Sequence, residues 1–177
     1  NQNGIPTPII SVGSSPTALH AKDLTGVTEV RAGVYIFFDL FQAGINSCEL
    51  DDLALSVLTT VIGHKKSLNR VIVDAGGMAL SKDRGTGGQK IDCKYGLLGD
   101  INSGAIIENL IVEDVSQEHG MITNVKGQLD FSKYPIGSKI RVYPNHACMT
   151  AAAHEKYHVI NGQSNEILAE WNRCTGW

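Results

Sequence analysis

The run Tyr143-Pro144-Asn145-His146-Ala147-Cys148-Met149-Thr150 places an imidazole and a thiol two residues apart. Both are ligands for a soft or borderline metal, zinc above all. The run follows an alternating stretch, Ile140-Arg141-Val142-Tyr143. If it continues extended, side chains at i and i+2 point the same way and stand roughly 7 Å apart. Two ligands do not close a structural zinc site, which takes four. They leave positions open for water or substrate, as a catalytic metal requires. A His-x-Cys taken alone is more often a buried cysteine beside a surface histidine, so the rest of the chain has to decide.

Other residues carry possible chemistry, each beside a plainer role. Gly13-Ser14-Ser15-Pro16-Thr17 follows an apolar stretch and opens a helix, with Pro16 in its first turn and a serine ahead to cap it. Amides and hydroxyls there form a phosphate cradle, or simply a strand-to-helix turn. Tyr35, near Arg31 and Gly33, is a ligand contact or half-buried core. Val73-Asp74-Ala75-Gly76-Gly77 ends a buried strand with an acid that is catalytic or caps its own turn. His119, in Glu118-His119-Gly120, is a third metal neighbour, a proton carrier or a turn residue.

The elements that must position these residues are mostly strands. Apolar and alternating runs predict strands over 28–30, 34–38, 54–62, 70–73, 105–112, 121–125, 139–143, 156–160 and 166–171, with glycine turns between many of them. Asn161-Gly162 is a hairpin signal. Many short strands at close spacing argue for an antiparallel barrel or sandwich. The segment 82–100 carries five glycines and few apolar anchors, so a long mobile loop is expected there.

With 177 residues, 42% of them apolar, the chain can bury one good core. A net charge of −3 with interspersed signs offers no stripe for nucleic acid. No apolar run approaches the ~20 residues that span a bilayer. Four scattered cysteines lack the spacing of a disulfide framework, so reduced thiols in the cytoplasm are expected. Pro6-Thr7-Pro8-Ile9-Ile10-Ser11-Val12-Gly13 reads as a buried strand with no partner element ahead of it, and the chain opens on Asn1. The expectation is a fragment whose N-terminal portion lies outside this sequence.

Taken in order, Ser11 to Thr17, Glu29 to Asp39, Val73 to Gly76, Glu118 to Gly120, Pro144 to Thr150 and Trp171 are spread over nearly the whole chain. Together they resemble the C-terminal portion of the D-threonine aldolase and D-serine dehydratase family, which has the alanine-racemase fold. The resemblance implies a mainly β chain. Residues 1–25 would be the last strand and helix of a (β/α)8 barrel, and 26–177 a C-terminal β-barrel-like domain. It implies pyridoxal phosphate held by Gly13, Ser14 and Ser15, with Tyr35 beside it. It implies zinc or another divalent metal on His146 and Cys148, through which these two take part in catalysis.

The implied partners are the N-terminal barrel of the same enzyme, a D-amino acid substrate and a second copy in a homodimer. The implied activity is a lyase reaction on β-hydroxy D-amino acids, either D-serine dehydration or D-threonine aldol cleavage. The aldolase branch tends to carry Asp with manganese where Cys148 stands, so His-x-Cys looks more like the zinc-dependent dehydratases. Two departures matter. Ala32 and Val34 stand where relatives often show Pro and Asn, and none of the ten lysines matches the family's Schiff-base lysine. An isolated chain without that lysine is expected to be inactive. The rival readings are a non-catalytic metal-binding β domain and part of an amino-acid racemase, which needs no metal.

Overall fold

Val57, Thr59 and Val61 are buried while Leu58 and Ile62 face outward, the period-two signature of a strand with one face on a core. The computed structural model describes residues 3–161 and 164–174. In chain order its elements begin with β1 (Ser11–Gly13), α1 (Ser15–His20), β2 (Glu29–Arg31) and α2 (Leu40–Gly44). Then come β3 (Val57–Lys65), β4 (Arg70–Val73), α3 (Gly77–Leu80), β5 (Leu97–Gly99), β6 (Ile106–Val115) and β7 (Gly120–Asn124). The chain closes with β8 (Lys139–Tyr143), α4 (Ala147–Ala152), β9 (Lys156–Ile160) and β10 (Ile167–Asn172).

Six strands close into a barrel in the order β3-β4-β7-β6-β5-β8, every neighbouring pair antiparallel. The mainly β fold and the barrel expected from the sequence are both found. Val61, Val71, Val73, Leu98, Val112, Ile122 and Val142 fill its interior and are essentially inaccessible to water. Each such side chain contributes about 1.5–3 kcal/mol by leaving water.

Two small sheets stand apart from the barrel. β1 and β2 pair in parallel across the α1 crossover, so residues 11–31 make one strand-helix-strand unit. β9 and β10 form an antiparallel ladder. Gly162 of the expected hairpin turn lies outside the described residues.

The buried strand expected over 6–13 forms only at Ser11–Gly13, and residues 6–11 are exposed. Three further expectations need correction. The run 34–38 is not a strand: Phe37 and Phe38 donate their amides to Val34 O, coiling the chain into a 3-10 turn over Val34–Ile36. An apolar run suits either outcome, and here the local bonds win.

The segment 82–100 is not a bare loop. It holds a 3-10 turn, Gly85–Gly88, and the barrel strand β5, bonded on both sides to β6 and β8. Thr86 and Leu98 within it are 0% exposed. Gly96 enters β5 with φ +146, and a Cβ there would sit 2.6 Å from Tyr143 O. Glycine is therefore what lets this short strand close against β8.

The third correction concerns the His-x-Cys run. It does not stay extended throughout: His146 is still extended, but α4 begins at Ala147 and takes Cys148 into its first turn.

Candidate active site

His146 is the N-cap residue of α4 and Cys148 lies in that helix's first turn. The strand-to-helix turn that carries them is fixed by buried groups on either side. Asn145, 2% exposed, donates from Nδ2 to Asp83 O at 3.0 Å and to Lys94 O, and accepts at Oδ1 from Thr86 Oγ1 at 3.0 Å. Asp39, 3% exposed, caps α2 by accepting the Gln42 amide at 3.0 Å. Its other oxygen accepts the Ala147 amide at 2.9 Å. One carboxylate thus holds the starts of both helices, where aligned amides favour a negative charge.

His146 lines a cleft of about 290 Å³ with Val34, Asp39, Phe41, Gln42, Asp83 and Gly85. Its Nδ1 lies 2.7 Å from Asp83 Oδ2. With Asp83 as acceptor, the imidazole donates from Nδ1 and Nε2 is left as its acceptor nitrogen. Partial burial pushes the Cys148 thiol above its ordinary value, and the Asp39 carboxylate adds to the rise. The residue as a whole is exposed, so the desolvation is incomplete. A divalent cation reverses this balance, because a coordinated thiol gives up its proton.

Among the described residues, no cluster of three or more His, Cys, Asp and Glu is arranged to hold a metal. The donor set His146 and Cys148 still fits a divalent ion with open positions. An imidazole oriented by a carboxylate and a thiol two residues on are the ligands such an ion takes. His119 lies in the exposed turn between β6 and β7 and does not line the cleft. Asp74 ends β4 and bonds Thr59 Oγ1 at 2.7 Å and the Thr60 amide at 2.8 Å, tying β4 to β3.

The residues expected at the cofactor come together at α1. Ser14 caps it through the Thr17 amide. Ser15, 2% exposed, accepts the Tyr35 amide at 3.0 Å. Gly13 has the Arg31 guanidinium against it: a Cβ would stand 3.0 Å from Nη2. Small residues at a helix start suit a phosphate. Arg31 across them donates from Nε to Ser11 Oγ at 2.8 Å and lies 3.5 Å from the Glu29 carboxylate. Tyr35 is exposed and lines a second depression, of about 340 Å³, with Ala18, Leu19, Val30 and Ala32. Val34, its neighbour in sequence, lines the His146 cleft, so the two sites adjoin.

The spacing of His146 and Cys148 is visible in the sequence, whereas Asp83 and Gln42, which line the cleft, and Thr86, which braces it, are not singled out there. Asp83 is 63 residues from His146 and carries no periodic signal.

Residues 54–160 match the family described as "Putative serine dehydratase domain". The chain belongs to this serine dehydratase family. It is 45% identical over 177 residues to D-threo-3-hydroxyaspartate dehydratase of Delftia sp. (strain HT23), covering 98% of this chain and 46% of that protein. It is 38% identical over 176 residues to D-serine dehydratase of Dictyostelium discoideum, covering 95% and 43%. The serine dehydratase-family chain thus spans about half the length of the curated relatives it matches.

Two solved structures of D-threo-3-hydroxyaspartate dehydratase superpose with TM-scores of 0.88 and 0.89 at 44% identity, covering 99% of this chain and 46% and 45% of those chains. One is a cysteine-to-alanine mutant in the metal-free form, the other a histidine-to-alanine mutant. The two substituted positions are two residues apart in that enzyme. D-threonine aldolase from Filomicrobium marinum shares the fold, with a TM-score of 0.69 at 21% identity, over 97% of this chain and 42% of that one.

Proposed function

We propose that this chain is the C-terminal portion of a pyridoxal phosphate- and metal-dependent lyase that dehydrates β-hydroxy D-amino acids. The observation that carries the reading is the cleft lined by Asp83 and His146, with His146 the N-cap of α4 and Cys148 in that helix's first turn, outside the lining of the cleft. The names of the relatives support dehydration over aldol cleavage. The histidine and cysteine substituted in D-threo-3-hydroxyaspartate dehydratase have the spacing of His146 and Cys148, and the cysteine mutant is described as metal-free, which supports the metal assignment.

In this reading residues 1–25 complete a cofactor barrel, to which β2 is added by its parallel pairing with β1, and the rest of 26–177 forms the second domain. The exposed apolar side chains Ile9, Ile10, Leu19 and Val30 support a covering barrel. That barrel supplies the Schiff-base lysine, and the enzyme works as a homodimer in the cytoplasm. Gly13, Ser14 and Ser15 hold the cofactor phosphate, with Arg31 adding positive charge, and Tyr35 packs beside the ring. His146 and Cys148 hold a zinc or similar divalent ion, and Asp39 keeps their turn in register.

When bound, the cofactor withdraws electrons from Cα and the ion acts as a Lewis acid on the β-hydroxyl. The chain's own residues place that hydroxyl in the cleft and narrow the access of water to it. D-Serine then yields pyruvate and ammonia.

The test is the full-length protein with pyridoxal phosphate and Zn²⁺, offered D-serine, L-serine, D-threo-3-hydroxyaspartate and D-threonine. We expect a 2-oxo acid and ammonia from a D-hydroxy acid, lost after chelation and in H146A. Glycine and acetaldehyde from D-threonine, without 2-oxo acid from the other substrates, would replace the dehydratase reading with the aldolase one. Turnover unchanged in H146A and C148S would remove the metal from the mechanism.

A further inference from the structure

Asp83 is held more firmly than an acid at the mouth of a cleft needs to be. Its amide donates to Ser81 Oγ at 3.2 Å and its carbonyl accepts from Asn145 Nδ2 at 3.0 Å. Oδ1 accepts the Gly85 amide at 2.6 Å, and Oδ2 faces His146 Nδ1 at 2.7 Å. The two side chains are 27% and 41% exposed. A pair so open to solvent adds little to stability, typically under about 1 kcal/mol. The side-chain pair of Asp83 and His146 therefore does something other than hold the fold together. A carboxylate oxygen 2.7 Å from Nδ1 favours the proton on that nitrogen and sets which way the ring faces.

We infer that Asp83 is the positioning residue of the metal-binding His146, orienting the imidazole so that Nε2 is presented to the ion. This rests on the metal reading of His146 and Cys148 above. A carboxylate on the far nitrogen fixes the tautomer, locks the ring and makes the ligand nitrogen more basic. The arrangement also explains the shape of the segment 82–100. The 3-10 turn Gly85–Gly88 supplies the Gly85 amide to Asp83, and Thr86 within it grips Asn145, the residue just before His146. The wall of the cleft is built to aim one ring.

The test uses the full-length protein stripped of metal by a chelator. Zn²⁺ affinity is read by competition with a chromophoric chelator in wild type, D83N, D83A and H146A. We expect D83N and D83A to bind Zn²⁺ about 10- to 100-fold more weakly, and H146A more weakly still. A second readout is the ¹⁵N shift of the His146 ring nitrogens in metal-free protein, at a pH well above the imidazole range. Wild type should show the Nδ1–H tautomer, and D83A a shift toward Nε2–H.

Unchanged affinity in both Asp83 variants, with H146A impaired, would overturn this inference and leave the metal reading standing. Wild-type affinity no greater than that of H146A would overturn both. If D83A does not fold, D83N and the wild-type tautomer decide, and an Nε2–H tautomer in wild type overturns the inference.

Discussion

Thr86 Oγ1 donates to Asn145 Oδ1 at 3.0 Å, and neither side chain meets solvent: Thr86 is 0% exposed and Asn145 2%. The same hydroxyl accepts the Cys93 amide at 3.0 Å. One buried bond therefore joins the glycine-rich segment to the turn that bears His146.

Replacing Thr86 by Val keeps the shape and removes the hydroxyl. The Asn145 carbonyl and the Cys93 amide then lose a partner inside the protein. We expect a loss of about 1–3 kcal/mol, and somewhat more for Asn145→Ala, which abandons three groups at once. Urea unfolding followed by fluorescence measures it. A midpoint within error of wild type for both variants would show that the segment is not anchored this way.

Asp39→Ala removes the cap of α2 and the acceptor of the Ala147 amide together. We expect about 2–4 kcal/mol of destabilisation, since each is a charge-assisted bond in a buried place. Asp39→Asn should cost less, because an amide oxygen still caps. Equal losses in the two variants would mean that the charge, rather than the geometry, matters here.

Acid should weaken the fold through Asp74 and Asp100. For Asp74 burial pushes the carboxyl up, but the hydrogen bonds from Thr60 and Thr59 together outweigh it and the net value falls below the ordinary 3.8. For Asp100 the Ser103 amide and hydroxyl lower it. A folded value below the unfolded one gives stability that is fully present above 3.8 and drains as pH falls through the lowered value. Thermal melts from pH 5 downward should show a drop that is smaller in D74N and D100N. Parallel curves for the variants and wild type would rule these two groups out as the cause.

Gly96→Ala places a methyl 2.6 Å from Tyr143 O and 2.7 Å from Val142 Cγ1, at a φ of +146. We expect a cost of about 3 kcal/mol or more and loss of hydrogen-exchange protection in β5. Full protection of Leu98 in that variant would contradict the close packing of β5 on β8.

The barrel was legible in the sequence because β3, β4 and β8 bury alternate side chains or run as short β-branched stretches. β5 was not. Three residues leave no room for a period, and glycines on both sides read as loop. Its strand character comes from β6 and β8, distant in sequence, a case of tertiary pairing overriding composition. Similarly, His146 and Cys148 could be picked out by type and spacing. Asp83 could not, since an acid after Ser81-Lys82 looks like any surface residue until the chain folds it against the ring. Asp39 did carry a signal, an acid just before Leu40-Phe41, the pattern of a helix N-cap.

The barrel has no first and no last strand, so its backbone offers no template to another chain. Among the described residues, open ladder edges remain only on the parallel pair β1-β2 and the hairpin β9-β10. Among the described residues, a partner that adds a strand can therefore do so only at one of those two places, either against the strand-helix-strand unit or beside the ladder that carries Trp171. The six-stranded body can only be gripped through its side chains.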